Sequence, residues 1–208
     1  EARYLAAADG LHSPIRRQLG LDRPTNGARR WGIRRHFQIA PWTDTVEVYW
    51  AAHTEAYVTP VSDDCVGVAI LTSRQGKFDD HLSEFPALTA RLAGAQGTPA
   101  RAAGPLRQRA ASQHKGRVML VGDAAGYVDA LTGEGLGIAL GCAELVVNAV
   151  LADDPADYTR QWRRMSRRYR LLTSALLTAS NSPVRSMIVP AASTLPSVFN
   201  QAVKLLAQ

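Results

Sequence analysis

In the segment GRVMLVGDAAGYVDALTGEGLG, residues 116–137, an acidic residue stands at the end of a short apolar run and glycines crowd the residues after it. Gly116-Arg117 reads as a turn, Val118 to Val121 as a short buried strand, and Gly122 as its end. Open α/β sheets bind ligands at the carboxyl ends of their strands, so Asp123 stands where a ligand would lie. A carboxylate only accepts hydrogen bonds, and its partners there would be hydroxyls or amides, such as those of a sugar or polyol chain. The loop TGEGLG, residues 132–137, then opens a helix, whose free N–H groups and positive dipole end face the same crevice. Gly133, Gly135 and Gly137 would let an anionic ring edge or a phosphate come close to the backbone. Glycine spacing alone leaves a second reading open, in which Asp123 caps the next segment and the glycines only make turns. Asp129 and Glu134 flank the loop and are candidates for proton transfer, with helix capping as the alternative for Glu134.

The elements around this segment alternate between two textures. Arg3 to Ala8 reads as a strand running into Asp9-Gly10, and Ser13 to Leu19 as a helix with Ser13 at its cap and Pro14 at its first position. A turn-rich linker, residues 23–30, leads to four strands: Trp31 to Ile39, Val46 to Ala52, Glu55 to Pro60 and Cys65 to Leu71. They read as an antiparallel meander, with Asp63-Asp64 turning between the last two, and with Val46, Val48 and Trp50 alternating against Glu47 and Tyr49. A helix is predicted over residues 77–92 and a weaker strand over 106–111. The α/β texture then returns, and the apolar helix GLGIALGCAELVVNAVL, residues 135–151, is predicted to be buried on most sides. From Pro155 onward the chain reads as helical, interrupted at Pro183, Pro190 and Pro196.

The 208 residues are 46% hydrophobic and 20% charged, an ordinary globular composition. No apolar run approaches the length of about 18 residues of a spanning helix, and the first residues lack a signal-peptide layout, so a cytoplasmic protein is expected. Cys65 and Cys142 are expected to be buried thiols, and the histidines at 12, 36, 53, 81 and 114 share no metal-ligand spacing, so no metal site is expected. The net charge of +6 concentrates in arginines 160, 163, 164, 167, 168 and 170, the first five on one helical face opposite Trp162, Met165, Tyr169 and Leu172. That face is either simply solvated or a peripheral contact with an anionic membrane. No RNA-binding, helix-turn-helix or zinc signature accompanies it, so nucleic acid is not expected as a partner. On the meander, His36 shares a strand face with Arg34 and Gln38, and His36, Trp50 and Tyr57 are candidates to line a substrate cavity.

Two segments carry a family resemblance. VGDAAGYVDALTGEGLGIAL, residues 121–140, resembles the GD motif of flavoprotein monooxygenases and related FAD-dependent oxidoreductases, and AADGLHSPIRRQLGL, residues 7–21, resembles their DG motif. The resemblance implies an FAD site formed by Asp9, Arg16, Gly122, Asp123, Ala125, Gly133, Gly135, Leu136 and Gly137, with Asp123 on the ribityl hydroxyls and the loop after it at the pyrimidine end of the ring. It implies the C-terminal part of an α/β (α+β) Rossmann-like FAD/NAD(P)-binding domain with an inserted antiparallel β-sheet substrate domain and a C-terminal helical segment. The expected division is 1–24 and 113–152 for FAD binding, 25–112 for substrate and 153–208 for the helical region. Gly126 stands where aromatic hydroxylases usually carry histidine, and the segment looks more like the geranylgeranyl reductase branch, which usually has proline where Ala130 stands. The implied activity is flavin hydride transfer on a hydrophobic substrate with NAD(P)H as electron donor. The alternatives are a flavin-dependent monooxygenase and a non-enzymatic interaction module. The GxGxxG pattern that holds the ADP half of FAD does not occur in these residues, so the chain is expected to be one portion of a flavoprotein whose other half lies elsewhere.

Overall fold

The computed structural model describes residues 1–26 and 29–180. In chain order the elements are β1 (Leu5–Ala7), α1 (Pro14–Gln18), β2 (Asp22–Arg23), β3 (Trp31–Gln38), β4 (Glu47–Trp50), β5 (Thr54–Ser62) and β6 (Cys65–Thr72). Next come α2 (Phe78–Leu82), α3 (Pro86–Arg91), β7 (Gln96–Gly97), β8 (Arg101–Ala103), β9 (Arg109–Ala110), β10 (His114–Lys115) and β11 (Val118–Leu120). A 3-10 turn, Gly122–Ala125, then leads to α4 (Gly135–Leu151) and α5 (Pro155–Ser180). The chain forms two compact units, one of residues 1–26 with 107–208 and the other of residues 27–106. The helical prediction beyond residue 180 lies outside the described residues, and α5 belongs to the first unit rather than to a region of its own.

In the first unit β1 and β11 run parallel, with Ala7 beside Leu120, and β10 pairs antiparallel on the other side of β11. Ser13 opens α1 by accepting a 2.9 Å bond from the Arg16 amide, and Pro14, which has no amide to satisfy, takes the first position. Ala7, Met119, Leu120, Ala124, Ala125, Cys142, Tyr158 and Trp162 form the core. The bounds of α4 agree with the predicted residues 135–151, but its burial does not. Leu136, Leu140, Val147 and Leu151 are exposed, and only Cys142 and Ala149 are fully covered. Small residues explain this: Gly141 sits so close to Met165 that a Cβ there would lie 2.6 Å from the sulfur, so α4 packs through one narrow face.

On α5 arginines 160, 163, 164, 167, 168 and 170 are all exposed, as the helical spacing predicts. Tyr158, Trp162, Ser166, Tyr169 and Thr173 turn inward, while Arg163 and Arg170 border a cavity in the same unit. Among the described residues no helix is long and apolar enough to cross a membrane.

In the second unit the sheet order is β4-β5-β6-β3-β7, with β8 also pairing with β3. The four predicted strands form and pair antiparallel, with Asp63-Asp64 at the turn between β5 and β6, but they are not one meander: β3 lies beside β6 and not beside β4, so only β4-β5-β6 follow in chain order. β4 is also inverted relative to its apolar alternation. Val46, Val48 and Trp50 face outward, and Tyr49 packs toward the core of Ala56, Val58, Val66, Val68, Ile70, Phe78, Phe85 and Leu88. Glu47 shares that inner side because its carboxylate is satisfied there, by Trp42 Nε1 at 2.9 Å and Tyr49 Oη at 2.7 Å. The helix predicted over 77–92 is two short helices, since Pro86 starts a new helix rather than continuing the old one. Cys65 is only half-buried and Cys142 is buried; both are free thiols.

Leu88 is fully buried between α3 and the sheet, so Leu88→Ala should lower the unfolding free energy by about 2–5 kcal/mol in denaturant titration. The bonds from Trp42 and Tyr49 hold the Glu47 carboxyl below its usual range. A lowered folded pKa gives stability that is present above the unfolded value of about 4.3 and is lost as pH falls through the folded value. Glu47→Gln should therefore flatten the acid limb of the thermal stability profile.

Candidate functional site

The carboxyl ends of β1 and β11 and the start of α4 enclose a cavity of about 420 Å³ lined by Ala8, Gly10, Gly122, Asp123, Tyr127 and Gly135 among others. Asp123 is half-buried there, and its carboxylate makes no hydrogen bond to any described residue. Burial with no offsetting charge holds it above the usual carboxylate range. The capping alternative for Asp123 fails, because in the turn only its backbone carbonyl is used, by the Gly126 amide.

The neighbours of Asp123 explain why it stands in this place. The glycine before it has φ +58° and lies so near α4 that a Cβ would be 3.2 Å from the Ala139 Cβ, so Gly122 permits both the turn and the close packing of strand end on helix. Arg16 fixes the turn from below. Its buried guanidinium donates to the Asp123 carbonyl at 3.4 Å, the Ala124 carbonyl at 3.0 Å, the Leu11 carbonyl at 3.0 Å and Gln108 Oε1 at 2.9 Å, and pairs with Asp22 at 2.5 Å. Every nitrogen of Arg16 is used by protein, so it positions the site instead of contacting a ligand. Asp9 has a similar supporting part: its carboxylate accepts from the Ile15 amide at 3.1 Å and lies outside the cavity lining.

The start of α4 has no side-chain cap and no acidic residue in its first turn. Its first amides are open to a ligand, with the positive end of the helix dipole behind them. A Cβ on Gly133 or Gly137 would meet nothing within 4 Å, and one on Gly135 would lie 3.8 Å from Tyr127 and 4.0 Å from the Asp123 carboxylate. Protein packing does not require glycine at 135 or 137; the space in front of them is free for something else. Leu136 is exposed and borders the cavity.

Other candidates fall elsewhere. Ala125 is buried and faces away from this cavity, its carbonyl taken by Gln113 Nε2 at 3.1 Å. Asp129 is buried, accepts from the Leu131 amide at 3.1 Å and holds a turn, so proton transfer is not its place. Glu134 makes no capping bond, and burial raises its carboxyl above the usual range. In the second unit His36, Trp50 and Tyr57 lie on the sheet face opposite α2 and α3, but in different cross-strand rows: Tyr57 beside Val48 and Ala69, Trp50 beside Glu55, His36 beside Gly67. They share a face without forming a cluster. Sequence reading missed Tyr127, which walls the Asp123 cavity; its place directly after the GDAAG turn was the available signal. Among the described residues no group of three or more histidine, cysteine or acidic side chains could hold a metal ion.

Comparison with known proteins adds to this geometry. The sequence model of the FAD binding domain matches residues 1–149. Protein CbrA of Escherichia coli O6:H1 is 27% identical over 190 residues, which cover 82% of this chain and 47% of CbrA. The flavin-dependent brominase Bmp2 superposes with a TM-score of 0.80 at 15% identity, over 99% of this chain and 57% of its own. The myxobacterial chondrochloren halogenase CndH superposes with a TM-score of 0.73 at 20% identity, over 86% of this chain and 47% of its own. At these identities the two structures show a shared fold. The chain spans about half the length of these relatives.

Arg16→Gln should cost about 3 kcal/mol in equilibrium unfolding, because it removes a buried guanidinium and leaves several carbonyls without donors. A change below about 0.5 kcal/mol, the range of an ordinary surface substitution, would contradict the clamp.

Proposed function

Because the chain belongs to the FAD binding domain family, we propose that its first unit is the flavin-facing half of a flavin-dependent oxidoreductase. The observation that carries the proposal is the Asp123 carboxylate, half-buried, without a hydrogen-bond partner among the described residues and opening on a cavity bounded by uncapped helical amides. These residues fit FAD. The carboxylate would accept from the ribityl hydroxyls, and the amides at the start of α4 would donate to the electron-rich pyrimidine edge of the ring. Gly135 would allow the ring to lie near the backbone, with Tyr127 as a wall. Bound flavin supplies two-electron redox chemistry that no side chain here provides. The protein's share is to hold the cofactor, and the Arg16 clamp keeps Asp123 at its station while it does so.

The pyrophosphate and adenine end of FAD falls, in this proposal, to a polypeptide segment carrying the GxGxxG pattern that residues 1–208 do not contain. For the reaction we favour hydride transfer from reduced flavin, with NAD(P)H as the source, over oxygen insertion. The support is Gly126, which stands where the aromatic hydroxylases have histidine. Product analysis under labelled dioxygen separates the two: one labelled oxygen atom in the product would overturn hydride transfer.

A ligand hydroxyl bonded to a carboxylate contributes about 1.5–3 kcal/mol, so Asp123→Asn should weaken FAD binding roughly 10- to 100-fold in a flavin fluorescence titration. The same substitution should not destabilise the FAD-free protein. A raised folded pKa means that the charged carboxylate costs stability at neutral pH, a cost that vanishes as pH falls below the unfolded value; asparagine removes it. Unchanged FAD affinity in Asp123→Asn would take Asp123 out of the cofactor site.

A further inference from the structure

The first unit holds a second cavity, of about 510 Å³, on the other side of Tyr127. Its lining includes five arginines, Arg23, Arg107, Arg109, Arg163 and Arg170, and no aspartate or glutamate. They come from three separate parts of the chain: Arg23 on β2, Arg107 and Arg109 two residues apart at β9, and Arg163 and Arg170 seven residues apart on one face of α5. None of the five makes an ion pair with a described residue; among the described residues their one side-chain hydrogen bond is Arg163 Nη2 donating to the Ala111 carbonyl at 3.4 Å.

This arrangement works against the fold. Arg23 stands directly opposite Arg109 in the β2–β9 ladder, a like-charge pair where sheets favour opposite charges. Arg170, stacked 5.4 Å over the Trp162 ring, is held below the usual guanidinium range by burial and then by the charges of Arg109, Arg163 and Arg107. Two further donors in the residues that wall the cavity, Trp162 Nε1 and Ser166 Oγ, are buried and lack a hydrogen-bond partner among the described residues. Clustered guanidiniums without counter-charge, beside donors without acceptors, are what a polyanion would satisfy.

We propose that this cavity is a binding site for a small molecule bearing a phosphate or diphosphate group and a flat apolar portion. The arginines would take the phosphate oxygens in paired hydrogen bonds, a geometry that lysine cannot supply. Tyr127, Val128, Ile138, Trp162 and Tyr169 would accept the apolar part. A single carboxylate would leave most of the five charges unanswered. The site does not depend on the flavin reading, since Asp123 belongs to the other cavity.

The test uses inorganic pyrophosphate as probe and the fluorescence of Trp162 as readout. The chain should bind pyrophosphate saturably, more tightly than sulfate at equal ionic strength. The double variant Arg107→Gln, Arg109→Gln should bind it at least about tenfold more weakly, as expected from loss of charge-assisted bonds. Asp123→Asn should bind pyrophosphate like the wild type whatever happens to its FAD affinity, which keeps the two sites distinguishable. Trp162→Phe should abolish the signal while calorimetry still registers binding. Absence of saturable binding, equal binding of sulfate, or equal binding by the double variant would overturn the proposal.

Discussion

One guanidinium organises the first unit. Arg16 is almost wholly removed from water, and it reaches oxygens from the loop before α1, from Asp22 after it, from Gln108 and from the turn at Asp123 and Ala124. A buried charge is tolerated only when its hydrogen bonds and its counter-charge are all in place, so these segments are correct together or wrong together. The parallel pairing of β1 with β11 brings the two motifs side by side, and Arg16 fixes the distance between them. The unused carboxylate of Asp123 is the counterpart of that arrangement. Its backbone is held on both sides while its carboxylate has no hydrogen-bond partner among the described residues.

The two cavities of this unit are alike in one physical respect. In each, groups that would ordinarily find partners within the fold are left without them: a carboxylate and helix amides in one, guanidiniums and an indole N–H in the other. Tyr127 belongs to both linings. Its hydroxyl is kept protonated by burial, then by Tyr169 and the acidic groups around it, so it serves as a neutral wall between a negative and a positive environment.

Local signals were strong wherever a single stretch decided the outcome. Ser13 and Pro14 announced α1, the glycine-bounded apolar run announced β11 and α4, and Asp63-Asp64 marked the turn of the meander. What required the fold was any question of which neighbour arrives. Val48 and Trp50 are as apolar as a core demands, yet the bonds to Glu47 and the packing of Tyr49 turn β4 over. The apolar run of α4 said nothing about Gly141 and Met165 limiting its contact to one face. Asp9 and Arg16 were legible as a motif, but their supporting roles depend on Ile15, Asp22 and Gln108; the first two each lie six residues from their partner, whereas Gln108 arrives only with the fold. The arginine cavity was not legible at all, because residues 23, 107, 109, 163 and 170 are neighbours only after the chain has folded.

The division of the first unit between residues 1–26 and 107–208 has a consequence for the order of events during synthesis. β1 leaves the ribosome early, but its parallel partner β11 begins at Val118, after the whole of the second unit. The second unit is continuous, so that β3 finds its partners β6, β7 and β8 within the same stretch of chain, and it can complete itself while the rest is still being made. Once it has done so, the span to be closed between β1 and β11 is no longer a floppy loop of residues 27–106 but a compact body with its ends fixed, and the entropy lost on closure falls accordingly. The inserted sheet is in this sense a folding aid to the unit that it interrupts: substitutions that loosen it, far from either cavity, would be felt as delayed assembly of the strand pair on which Asp123 rests.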